Sequence, residues 1–170
     1  MQECIDTVLK HPSLIESPAS HATRLGRHTG ELGYEPSLSV LKQVFIEACE
    51  NFVQQHSQAL SEKFMAMQPK RPRVSMWSVV MRSGGHQIAH IHPSAWLSGV
   101  CYLQLPDSMN ADQAQGWLQL NQPIDQKDAE TLIQPQVGQL VVFPSYTFHQ
   151  TLPFEATQER ICIAFDWLLD

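Results

Sequence analysis

No apolar run in this 170-residue chain approaches the ~18 residues that a membrane-spanning helix needs, so no membrane role is expected. Positive charge is scarce: 11 Lys and Arg against 17 Asp and Glu leave a formal net charge of −6. That is not the basic footprint of a nucleic-acid binder, and no nucleic-acid partner is expected. The four cysteines, Cys4, Cys49, Cys101 and Cys162, form no CxxC pair, which argues against a zinc ribbon or a disulfide framework. Free and mostly buried thiols are the reading instead, and a cytoplasmic location follows by default. The opening Met-Gln-Glu-Cys-Ile-Asp is acidic where a secretory leader is basic and then apolar, so no leader is expected. Gly84-Gly85 precedes no helix signal and is a turn, not a phosphate loop. There is no internal repeat and no low-complexity block.

What is present fits one globular domain. Hydrophobic residues make up 43% and charged ones 16%, outside the range of disordered chains, and the length suffices for a core without covalent staples. Leu41, Val44, Phe45, Ala48, Phe52 and Val53 recur at spacings of three and four, one face of a helix that starts near a Ser37 or Ser39 cap and ends by Pro69. A shorter helix is expected over the first ten residues, and a loop over 16–35. Beyond the prolines at 69 and 72 the pattern changes to strands: 73–82, 86–92, 96–105, 116–121, 138–144, 148–152 and 159–168, with turn residues between them. Polar loops are expected at 106–115 and 122–137. The expected fold is mainly β, a jelly roll, with a helical segment 1–70 supporting a core over 71–170 within one structural domain.

The chemistry concentrates in Gly85-His86-Gln87-Ile88-Ala89-His90-Ile91-His92-Pro93. Alternation along a strand puts His86, His90 and His92 on one face. At ~3.3 Å per residue the Cα atoms of His90 and His92 lie roughly 6–7 Å apart, close enough for two imidazoles to share an ion. His86, roughly 13 Å from His90, is a second-layer or loop residue. A catalytic metal takes about three protein ligands, and the third candidate is His149, on a late strand. Arg160 opens the last strand, with small Cys162 and Ala164 beyond it on the same face, an arrangement suited to capture of a carboxylate. Trp96, Trp117 and Trp167 read as packing residues. His11, His21, His28 and His56 receive no role, and residues 23–33 fit a lid or a linker equally.

The run His90-x-His92-Pro93-x-x-Trp96-Leu97-Ser98-Gly99-Val100-x-Tyr102, followed by Gly138-x-Leu140 to Ser145, then His149 and Arg160, resembles the bacterial 2-oxoglutarate/Fe(II)-dependent oxygenases over roughly residues 73–168. The resemblance implies a double-stranded β-helix, Fe(II) held by His90, His92 and His149, and 2-oxoglutarate anchored by Arg160, with O₂ as oxidant. No catalytic residue beyond the metal ligands is implied, and the substrate is a small molecule or peptide of unknown identity. Two departures stand out. The wider superfamily has His-x-Asp/Glu where this chain has His92, so three imidazoles remove one negative charge from the site, which weakens Fe(II) retention. The superfamily's Arg-x-Ser is Arg160-x-Cys162 here, and a thiol is a poor hydrogen-bond donor, so Tyr102 is the candidate hydroxyl beside Arg160. The alternatives are a cupin-like three-His dioxygenase that does not use 2-oxoglutarate, and a non-catalytic metal- or ligand-binding module.

Overall fold

Along 74–82 the apolar side chains serve both faces of a sheet. Val74, Met76 and Val80 enter one core cluster, while Trp77, Val79 and Met81 enter another. The computed structural model describes residues 1–18, 20–107, 109, 113–121 and 130–170. In chain order its elements are α1 (Gln2–Lys10), β1 (Ile15–Glu16), β2 (Thr23–His28), a 3-10 turn (Pro36–Leu38), α2 (Ser39–His56), α3 (Glu62–Ala66), β3 (Val74–His90), β4 (Ala95–Gln104), β5 (Leu118–Asn121), β6 (Glu130–Ile133), β7 (Leu140–Pro144), β8 (Phe148–Thr151) and β9 (Arg160–Leu168). All strand pairs are antiparallel, in the order β6-β5-β8-β3-β9-β4-β7, with β2 on the free edge of β3 and β1 on β2.

The long strand β3 joins two layers. Val74–Met81 pairs with β9, whereas Gln87 and His90 pair with β8, and β2 runs along the opposite edge of both halves. β8 and β9 therefore share one edge of β3, and the sheet curls into a jelly roll whose two layers diverge from that edge. Gly84 sits at the handover with φ +77, a conformation that side chains other than glycine adopt at a cost. The expected break between 82 and 86 is thus a bend within one strand, because glycines there relieve the twist without ending the ladder.

The helices cover the outer face of the layer that contains β3, β9 and β4. Ile5 and Val8 of α1 and Phe45 and Cys49 of α2 are buried against Ile161, Ile163 and Phe165. Phe45 stacks on Phe165 with ring centroids 4.1 Å apart. Gly99 permits this contact: a Cβ there would meet the Phe165 ring at 2.3 Å and the Val141 carbonyl at 2.6 Å. The sequence-derived helix is two helices, α2 and α3. Its start is the 3-10 turn, not a serine cap: Ser39 Oγ donates to the Pro36 carbonyl at 2.7 Å, and the Ser37 hydroxyl bonds that of Thr7 at 3.0 Å.

The expected loop at 16–35 is interrupted by a strand. Residues 23–28 form β2, whose polar Thr-Arg-Leu-Gly-Arg-His hides the strand from an apolar-alternation test, since its inward side chains face a cavity and not a core. Of the expected loops, 130–133 is β6, while 108, 110–112 and 122–129 lie outside the described residues. Trp96 and Trp167 are buried in the core, as expected. All four cysteines are free, three of them buried. No helix among the described residues is long and apolar enough to cross a membrane.

Candidate metal centre and anion site

Antiparallel register brings together histidines far apart in sequence. His90, the last residue of β3, lies directly opposite His149 of β8, and their rings are 4.2 Å apart. His92 is not on the strand, contrary to the alternation argument. It lies just beyond β3, where its N–H donates to the Ser145 carbonyl at 3.1 Å, and its ring centroid is 5.1 Å from that of His90 and 5.0 Å from that of His149. One nitrogen of each ring lies within 4.8 Å of the others. His86 stays apart: it pairs with Arg24 of β2, and its Nδ1 is 3.0 Å from the Gly84 carbonyl.

The outward nitrogens decide what the ring cluster can do. Nδ1 of His90 donates to the Ile88 carbonyl at 2.8 Å, that of His149 to the Thr147 carbonyl at 3.0 Å, and that of His92 to Asp166 Oδ1 at 2.7 Å. Carbonyl and carboxylate oxygens only accept, so each Nδ1 carries a proton, and in the neutral ring the lone pair falls on Nε2. Burial, reinforced by the neighbouring imidazoles, pushes His149 down to about 3, and burial lowers His90 as well. Rings held in one tautomer are what a divalent ion requires, and three ligands leave coordination positions open.

The same cavity, about 300 Å³, holds the predicted anion anchor. Arg160 is 1% exposed, its guanidinium 5.0 Å over the Tyr102 ring and Nη1 3.5 Å from Cys162 Sγ. Among the described residues no carboxylate pairs with it; the adjacent Glu159 is engaged by Arg27 at 2.8 Å. Arg160 Nε and the Tyr102 hydroxyl are both buried without a partner, and burial pushes Tyr102 up to about 12. A buried cation with no counter-charge, beside two orphaned polar atoms, is costly unless an anion completes it. The donors present therefore fit both a divalent metal and a carboxylate-bearing small molecule.

Three contributions were missed from sequence. Asp166 continues the inward face Arg160-Cys162-Ala164 by two residues, and extending that alternation would have found it. Trp77, whose ring lies 5.6 Å from that of His92, belongs to the same face as Val79 and lines the cavity. The third is a polar wall from β2. Thr151 Oγ1 donates to Gln87 Oε1 at 3.2 Å, Gln87 Nε2 donates to Thr23 Oγ1 at 3.3 Å, and Thr23 Oγ1 is 2.5 Å from His28 Nε2. Burial pushes His28 down to about 4. No periodicity in 23–28 marks these residues in advance.

A jelly roll with three converging imidazoles and an uncompensated guanidinium in one cavity has the donors for one divalent ion beside an anionic small molecule. The family model described as "Putative 2OG-Fe(II) oxygenase" matches residues 75–166. The chain belongs to this 2-oxoglutarate- and Fe(II)-dependent oxygenase family, whose chemistry uses Fe(II), 2-oxoglutarate and O₂, and this decides against the readings without 2-oxoglutarate. Solved structures share the fold. A prolyl-4-hydroxylase from Pseudomonas putida is 16% identical with a TM-score of 0.67, over 98% of this chain and 82% of that one. A prolyl hydroxylase from Trichoplax adhaerens, in complex with a hypoxia inducible factor peptide fragment, is 16% identical with a TM-score of 0.63, over 98% and 77%. The viral collagen prolyl hydroxylase of Paramecium Bursaria Chlorella virus-1, in its 2OG complex, is 16% identical with a TM-score of 0.62, over 99% and 90%. No curated protein matches the sequence significantly.

Proposed function

We propose that His90, His92 and His149 hold the Fe(II) of this oxygenase, that Arg160 and Tyr102 hold the far carboxylate of 2-oxoglutarate, and that the reaction is hydroxylation of a small molecule or peptide. The observation that carries the assignment is the buried, unpaired Arg160 in the same cavity as the three rings. Bound Fe(II) supplies oxygen activation coupled to decarboxylation of 2-oxoglutarate to succinate and CO₂. The chain's own residues do the rest. The Nδ1–H bonds hold each ring's lone pair toward one point, and the guanidinium with the phenol offers charged and neutral donors to a carboxylate. Ala164 and Val100, opposite each other on β9 and β4, keep the floor between the two subsites free of bulk.

Trp77 and the wall from Thr151 to His28 border the remaining space and are the surface for substrate. The core over 71–170 carries the chemistry and the segment 1–70 supports it, with β2 as the part of that segment that reaches the cavity. The formal charge of −6 supports a partner that is not a nucleic acid, and the free, buried thiols support a cytoplasmic location. The test is succinate formation from 2-oxoglutarate by the purified chain with Fe(II) and O₂, followed by NMR. His149→Ala and Arg160→Ala are both expected to lose it. Metal uptake without succinate from the wild type under any substrate condition would refute the assignment.

A further inference from the structure

Asp166 is 8% exposed. Its Oδ1 accepts the His92 Nδ1–H at 2.7 Å and the Ser98 hydroxyl at 2.6 Å, and the Ser98 and Ser145 hydroxyls are bonded at 2.9 Å. Among the described residues its only ion-pair partner is the ring of His92; no Lys or Arg reaches it. A nearly buried carboxylate without a fixed cation is as costly as a buried guanidinium without an anion. The inward face of β9 therefore carries two uncompensated charges of opposite sign, Arg160 near one end and Asp166 near the other. Arg160 lacks an anion, and Asp166 lacks a cation one imidazole away.

His92 is also the ring that most needs support. His90 and His149 are set opposite each other by the β3–β8 register and anchored on backbone carbonyls two residues back. His92 lies outside any strand, and a side-chain carboxylate fixes its ring instead. We propose that Asp166 is the positioning residue of the metal centre. Through His92 it supplies the negative charge that three imidazoles lack, and it fixes the tautomer that turns the lone pair to the ion. This rests on reading His90, His92 and His149 as the ligands.

The test is anaerobic titration of the metal-free full chain with Co(II), read by its visible absorption bands and by competition with a chelating dye. Asp166→Asn keeps size and an acceptor but removes the charge. Its Co(II) affinity is expected to fall by about 10- to 100-fold with altered bands, while the metal-free melting temperature stays at or above that of the wild type. Ser98→Ala leaves the His92–Asp166 bond intact and is expected to bind within about threefold of wild type. Where Asp166→Asn does not fold, Asp166→Glu and Asp166→Gln replace it: the charged variant is expected to recover most of the affinity and the neutral one is not. Equal affinity and unchanged bands in the neutral and charged forms overturn the proposal. His149→Ala separates this from the ligand assignment. If it binds Co(II) like the wild type the triad itself fails, and if it alone loses the metal only the role of Asp166 fails.

Discussion

Replacing Arg160 by methionine is expected to make the metal-free protein more stable while removing its use of 2-oxoglutarate. The guanidinium is 1% exposed and Nε is unsatisfied, and among the described residues it has no carboxylate partner. Methionine keeps most of the aliphatic stem and discards the charge. Substituting buried charges by apolar residues of similar volume is often neutral or stabilising, by up to about 1–4 kcal/mol. Against this stands the stacking of Arg160 over Tyr102 at 5.0 Å, a contact worth about 0.5–2 kcal/mol. Taking the middle of each range, the net is a gain of about 1 kcal/mol, or about 2–4 °C in melting temperature for a chain of this size. Binding moves the other way. Truncating one side of a buried charged pair costs about 2–5 kcal/mol, which weakens the co-substrate about 30- to 5,000-fold. Scanning fluorimetry of the metal-free proteins reads the first effect. The second appears as loss of the stabilisation that Fe(II) plus 2-oxoglutarate gives the wild type. A variant that melts lower than wild type yet keeps the full ligand-induced shift would show that Arg160 is a structural residue, and the anion-site reasoning would be wrong.

Tyr102→Phe removes a buried hydroxyl that has no partner. Its metal-free stability is expected to stay within about 1 kcal/mol of wild type, while KM for 2-oxoglutarate rises several-fold and kcat is little changed; steady-state succinate assays check this. Gly99→Ala forces a methyl group into the Phe165 ring that stacks on Phe45, at a cost of about 1–3 kcal/mol, which thermal denaturation reads as a drop of roughly 2–12 °C. His28 stays neutral in the fold down to about 4, whereas in the unfolded chain it protonates near 6.5. Between those values the unfolded state binds the extra proton, so stability falls as pH drops through the window. Discounted for partial solvent exposure, the ring's share is about 1–2 kcal/mol. Urea denaturation at pH 7.5 and pH 5 is expected to show a smaller pH difference for metal-free His28→Gln, and an unchanged difference would contradict the burial argument.

The strands that carry Arg160, His90 and His149 were legible because each alternates cleanly and is bounded by Pro, Gly or polar turns. The family resemblance supplied their grouping; pattern alone placed His90 beside His92 and said nothing about what lay across from them. Strand alternation failed at His92, which β3 does not include, and at His86, which the bend near Gly84 separates from the His90 end of the strand. β2 was invisible for a different reason. Sequence patterns detect segments that bury apolar side chains, whereas β2 buries the polar Thr23 and turns His28 to the cavity. Asp166 went unrecognised although the alternation that exposed Arg160 leads straight to it, because an acidic residue near the end of a strand ordinarily reads as a solvated edge.

β9 follows all the other strands in chain order yet lies between β3 and β4, and it carries both Arg160 and Asp166. During synthesis the larger layer consequently lacks its middle until the ribosome has nearly finished these residues. Chains cut short before that point lose the keystone of the layer and the polar groups of the pocket together. Truncated products of this kind are therefore expected to reach the cell's proteases as unfolded polypeptide, never as folded protein with a half-built reaction chamber.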